Sequence, residues 1–242
     1  MKQLEELKKE DILFLDIETV PCAPDIAGIP EVLRDFWGKK TRSLREKEEM
    51  TLEESWSSAG IYAEFGKIIV ITAGFFSQSE GKRVFRLKSF YGDDEKALLE
   101  LFAAMLNRHF SDPRCLLCAH NGKEFDFPFI ARRMLINGIR LPLILDTGGK
   151  KPWEVKHLDT MELWKFGDWK SYTSIALLAH IFGIPTPKDD IDGSQVARVY
   201  YEEQNLDRIE HYCRKDVLTV AQLFLRFRGE PLLEENEVVA VS

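Results

Sequence analysis

The sequence predicts an α/β fold, a central five-stranded sheet flanked by helices. Three observations lead there. The 242 residues suit one α/β domain and are enough to bury a sizeable core. Apolar runs of strand length, at 12–15 and 68–73, alternate with segments whose apolar residues recur at helical spacing. No repeat, low-complexity block or linker divides the chain, so a single domain over 1–242 is expected.

In chain order, residues 1–10 read as a charged, frayed helix and 12–19 as the first strand, ended by Pro21 and Pro24. Residues 31–58 form a charge-rich helical insertion of two short helices. Within it Thr51-Leu-Glu-Glu54 has the capping-box pattern, and Trp37 and Trp56 pin it to the body. Residues 66–73 and 82–90 read as a hairpin. Asp93-Asp94 then open a helix with Leu98, Leu101, Phe102, Met105 and Leu106 on one face. Residues 116–119 make a fourth strand. Asp126-Phe-Pro128 starts a helix that Asn137-Gly138 ends, and 141–145 reads as a fifth strand. The stretch 153–164 fits either state. Residues 171–182 and 194–203 read as helices, and Asn205 caps a long final helix that Gly229 stops. Residues 230–242 are expected to be a loose tail.

Composition narrows the function. At 45% apolar and 30% charged residues this is an ordinary soluble composition. The first ten residues are too charged for a signal peptide, and no apolar run approaches the ~20 residues that span a bilayer. A cytoplasmic protein with no membrane partner is expected. A net charge of −7 argues against a bulk electrostatic nucleic-acid binder, but leaves room for an enzyme that grips a strand end locally. Cys115 and Cys118 have CxxC spacing without a second pair or nearby histidines, so they read as core thiols.

The informative residues are acids on apolar faces. Asp16 and Glu18 interrupt the first strand and project to the same side, roughly 6–7 Å apart along it. A proton, a basic partner or a divalent cation relieves such a pair; the cation is the reading adopted here. Asp216 lies within the apolar stripe Leu206, Ile209, Cys213, Val217, Val220, Phe224 and Phe227 of the final helix. Tyr212, one turn earlier, stacks on it with about 40° of rotation and ~6 Å of rise. Asp126 follows a short strand and a Gly turn. Singly, each has a plainer explanation: a solvated strand end, a buried ion pair for Asp216, an N-cap for Asp126. Together, Asp16, Glu18 and Asp126 lie at strand ends, where α/β sites collect, and Asp216 on a core-facing helix. Hard oxygen donors point to Mg²⁺ or Mn²⁺, and four carboxylates suit two ions about 3.5–4 Å apart, as used in phosphodiester displacement.

Three ordered motifs carry a family resemblance. Phe14-Leu-Asp16-Ile-Glu18-Thr19, Asn121-Gly-Lys-Glu-Phe125-Asp126 and Tyr212-Cys-Arg-Lys-Asp216 resemble those of the DEDD 3′–5′ exonuclease superfamily. The second motif has the form of family-B DNA polymerase proofreading domains. Asp189-Asp-Ile-Asp-Gly193-Ser194 and Tyr201 resemble the stretch before the last helix of stand-alone relatives. The resemblance covers about residues 11–228. It implies a ribonuclease H-like fold with a mixed sheet, and a free-standing exonuclease that releases nucleoside 5′-monophosphates from the 3′ end of single-stranded nucleic acid. DNA is favoured, with RNA the alternative. It further implies that Asp16 bridges two ions, that Glu18 and Asp216 complete the one activating water, and that Asp126 holds the other.

The superfamily divides by whether Tyr or His assists the water. Tyr212 lies about 40° from Asp216 on the helix and His211 about 140°, which favours Tyr212. With an ordinary pKa near 10, its role is to position the water. Phe125, Phe127 and Phe129, with Lys123, Arg132, Arg133, Lys165 and Lys170, are candidate strand contacts, and Asp159 carries no assigned role. Two rivals remain: a non-catalytic binding module on this fold, and a ribonuclease H-type endonuclease.

Overall fold

Strand β1 (Ile12–Pro21) is the axis of the molecule, because its side chains are claimed from both faces. The computed structural model describes residues 2–168, 172–185 and 191–241. Lys170 and the Asp189-Asp190 pair lie outside them. The strands β2 (Gly66–Ser79), β3 (Lys82–Tyr91), β4 (Leu116–Ala119), β5 (Leu158–Asp159) and β6 (Val238–Ala240) complete one sheet in the order β5-β4-β1-β2-β3-β6. The β1–β2 and β2–β3 pairs are antiparallel; β1–β4, β4–β5 and β3–β6 are parallel. The sheet is therefore mixed, as expected.

Helix α1 (Lys2–Glu5) precedes β1. Helices α2 (Glu31–Lys40), α3 (Arg42–Glu48) and α4 (Leu52–Ser55) follow it, then α5 (Glu95–His109), α6 (Asp126–Ile136), α7 (Thr160–Lys165), α8 (Ile175–Ile181), α9 (Val196–Tyr201) and α10 (Leu206–Arg228). Period-2 alternation assigns β1's faces. Leu13, Leu15 and Ile17 pack under α5 and α6, against Phe102, Phe129 and Ile130. Ile12 and Phe14 pack under α10, against Val217, Val220 and Phe224. The stripe read on the final helix is the buried one: Ile209, Cys213, Val217, Val220 and Phe224 are all at most 1% exposed. Asn205 caps α10 through Arg208 N–H, and Gly229 ends it at φ 71, a left-handed conformation that favours glycine.

Four expectations need correction. The sheet has six strands among the described residues, not five. Residues 141–145 hold a 3-10 turn, Leu143–Leu145, while a strand pair forms at Leu158–Asp159 instead. Residues 230–242 are not a loose tail: Leu233 is buried, its backbone exchanges two hydrogen bonds with the Gln222 side chain, and β6 adds to the sheet edge. The insertion also has more structure than two helices. The predicted capping box at Thr51 and Glu54 is present. Trp37 and Trp56 meet edge-on at 5.4 Å in a small core with Phe65.

Candidate active site

Asp16 and Glu18 continue the series Ile12, Phe14 and so face the α10 side of the sheet. The ladder with β2 shifts register between Glu18 and Thr19, a bulge of the kind that re-aims side chains at functional rims. Neither acid is a solvated strand end: Asp16 is half-buried and Glu18 is 7% exposed. Cys213 of α10 reaches Asp16, its thiol 3.3 Å from Oδ2 and 3.5 Å from the backbone oxygen. Ligand atoms of Asp16, Glu18 and Cys213 all lie within 4.8 Å of one another.

Asp126 arrives from the other side of the sheet's end. Strand β4 ends at Ala119, and Asn121 turns the chain at φ 63, a left-handed conformation that Asn tolerates. Asp159 fixes that turn. Its buried carboxylate accepts from Asn121 N–H at 3.0 Å and Lys123 N–H at 3.1 Å, and from Met161 and Glu162 N–H at the start of α7. Helix α6 begins at Asp126, with Phe125 in the cap position and no side-chain cap bond. The N-cap explanation of Asp126 therefore fails. Its carboxyl is 3% exposed, and Oδ1 has no hydrogen-bond partner.

The four carboxyls lie close enough to raise one another's pKa. Burial pushes the Asp16 carboxyl well above the ordinary range, and the charges of Asp126, Glu18 and Asp216 add to it. Burial does the same to Glu18, reinforced by Asp216 and Asp126. Asp126 is raised to about 7 by burial; nearby Asp159 and Asp216 push the same way, while its own N–H and that of Ile17 oppose. The Tyr212 phenol is raised by burial first, then by Asp216, Glu18 and Asp16, and it hydrogen-bonds Asp216. His211 is exposed and absent from the cleft lining.

All four acids and Tyr212 line a cleft of about 680 Å³. Ser57 and Ser58, at the end of the insertion, and Ile61, just after it, form part of its wall, as do Asn121, Phe125 and Tyr172. No lysine or arginine lines it among the described residues. The donor set fits hard divalent cations: carboxylates crowded together at a cost that only protons or cations remove, one of them with an orphaned buried oxygen.

Several candidate strand contacts are engaged elsewhere. Arg133 is ion-paired with Glu95 at 2.5 Å, in a buried knot that also takes Ile68 N–H, Asn137 and the Ala63 carbonyl. Lys123 pairs with Glu162. Phe127 and Phe129 are core residues, so of the three phenylalanines Phe125 lines the cleft. Cys115 and Cys118 are buried core thiols. Sequence reasoning missed Asp159 as the anchor of the second motif and 57–61 as a wall. The signal available for Asp159 was a capping acid before Thr160.

A family model described as a predicted 3′–5′ exonuclease related to the exonuclease domain of PolB matches residues 61–236. The match includes Asp126, Tyr212 and Asp216. Asp16 and Glu18 precede it and are joined to it by the geometry of the cleft.

Proposed function

We propose, from the premise that this chain belongs to the family of predicted 3′–5′ exonucleases related to the exonuclease domain of PolB, that it hydrolyses single-stranded nucleic acid from the 3′ end. DNA is the favoured substrate and RNA the alternative; the products are nucleoside 5′-monophosphates. Residues 1–242 act as one exonuclease domain on the ribonuclease H-like fold. The observation that carries the reading is the convergence of four acids from β1, α6 and α10 on one cleft, beside the phenol of Tyr212.

Asp16, Glu18, Asp126 and Asp216 would hold two Mg²⁺ or Mn²⁺ ions. When bound, such ions activate water and stabilise charge on the leaving oxygen. Every remaining task falls to side chains. Tyr212 is held so far above its ordinary pKa that it keeps its proton at neutral pH. A phenol that keeps its proton is suited to orienting the attacking water, and Asp216 orients the phenol. The water oxygen bonds to phosphorus and gives up a proton to solvent, the P–O3′ bond breaks, and the O3′ of the shortened strand takes a proton from solvent.

No helix among the described residues is long and apolar enough to cross a membrane. The cytoplasm is the compartment we assign.

The test is a 5′-labelled linear single strand and a closed circular one, each with Mg²⁺ or Mn²⁺. The expected result is a ladder shortening from the 3′ end, an intact circle, and no product with Asp16→Ala. A cut circle would replace this reading with the endonuclease. Binding without any cleavage would leave the non-catalytic module.

A further inference from the structure

Two surfaces away from the cleft carry complementary chemistry. The first is a groove of about 540 Å³ between α5 and the outer edge of the sheet. Leu13, Phe75 and Phe90 floor it, and Leu101, Met105 and Val241 form its walls. Its charged lining is Arg86, Lys88, Arg108 and His109, with Glu10 the one acid among the described residues. A chain of net charge −7 thus keeps a cationic rim around an apolar floor.

Strand geometry explains why the groove is open. Ladder partners share a face, so Arg86 and Lys88 lie beside Phe75 and Ala73, on the side of the sheet that α5 and α6 cover. Val239, opposite Arg86, extends that face onto β6. Helix axes pack about 8–10 Å apart and strands lie about 4.8 Å apart, so one helix covers about two strands. The core under α5 and α6 draws residues from β1, β2, β3 and β4 but none from β6, where Val239 is exposed, as is Val241 just after it. Beside α5 there is width for one more helix, and Leu101, 63% exposed, borders the place it would take.

The second surface is a helix face that suits that place. Val32 and Phe36 stand four apart on α2, 59% and 55% exposed, and neither belongs to an apolar cluster of the core. Glu31 and Asp35 are exposed beside them, and Lys39 ends the stripe with Nζ 5.7 Å from the Phe36 ring. The helix itself is anchored: Trp37 is buried edge-on against Trp56 and Phe65 and donates to Ser55 Oγ at 3.0 Å. Charge selects this stripe over the exposed apolar area around Leu135, Leu143 and Trp153. There Lys123 and Glu162 pair with each other, and Arg132, Lys150 and Lys151 outnumber Glu124, so that area and the cationic groove repel.

We propose that α2 of a second copy of this chain occupies the groove, with Val32 and Phe36 on the apolar floor and Glu31 and Asp35 toward Arg86, Lys88 and Arg108. The contact joins two different patches, so a two-fold axis closes it by using it twice, and the product is a dimer. This gives the 31–58 insertion a task and is independent of the exonuclease reading.

The test is sedimentation equilibrium of the full chain, without metal or nucleic acid, over a range of concentrations. The parent is expected to pass from monomer to dimer by about 0.1 mM, within reach of a weak interface. Phe36→Asp and Leu101→Asp should each weaken dimerisation at least about 30-fold, the effect of losing a central anchor. Both positions are exposed, and an unchanged circular dichroism spectrum shows that these variants fold. Asp35→Arg and Arg108→Asp should each weaken it about tenfold by setting like charges together. The double variant restores opposite charges across the contact and should recover to within a few-fold of the parent. A parent still monomeric at about 0.1 mM overturns the proposal. So does a dimer that Phe36→Asp leaves intact, a double reversal no stronger than either single one, or a species that grows past the dimer.

Discussion

The thiol of Cys213 lies 3.3 Å from Oδ2 of Asp16, tying the last helix to the acid at the centre of the first strand. Burial holds the thiol well above its usual pKa, so it keeps its proton and donates. One face of α10 thus supplies Tyr212 and Asp216 to the cleft and a donor that orients Asp16. Cys213→Ala should cost about 1–2 kcal/mol of stability in denaturant unfolding. It should also weaken Mn²⁺ binding about tenfold, the low end for losing a group that orients a metal ligand. Cys213→Ser, which keeps a donor, should retain most of both.

Asp159 collects four backbone N–H groups and so shapes the turn that leads to Asp126. Asp159→Asn places an amide donor among those donors. Losing charge-assisted bonds of this kind costs about 1.5–3 kcal/mol each where they are not replaced. The expected outcome is a lower melting temperature and a fall in kcat, with KM for the strand little changed. A variant as active and stable as the parent would remove Asp159 from the account.

How much of this was legible in the sequence follows from which interactions are local. Asp16 and Glu18 share a face by strand periodicity, and Tyr212 and Asp216 by helical periodicity, so both pairs could be placed without knowing the fold. The Asn205 cap and Gly229 stop are local as well. Arg133 stands among the candidate strand contacts because the partner that engages it, Glu95, lies 38 residues earlier on another helix. Asp159 was passed over because its donors lie 36 and 38 residues upstream as well as beside it. The last strand escaped notice because Val238–Ala240 is too short to show alternation and is specified by its partner, β3. Leu141 to Leu145 has a strand's composition, but Pro142 precedes a 3-10 turn there and the segment joins no strand of the sheet.

The crowding of acids predicts how pH and cations trade. In metal-free protein Asp126 titrates near 7, above its ordinary value near 4, with burial the main cause. Between those values the folded state holds a proton that the unfolded state has lost, so this group's contribution to stability falls as pH rises from about 4 to about 7. Asp16 and Glu18 shift in the same direction. Cations take the place of those protons. Saturating Mn²⁺ should therefore raise the melting temperature more at pH 8 than at pH 5, and Asp126→Asn should shrink the difference. Equal stabilisation at both pH values would count against the acids as the cation's ligands.

The most direct test of the shared pocket is the stoichiometry of Mn²⁺ binding by equilibrium titration at pH 8. The account predicts two ions per chain for the parent, with one or both lost in Asp16→Asn and at least one weakened in Asp126→Asn. A parent that binds none, or an Asp16→Asn protein that binds like the parent, would contradict it.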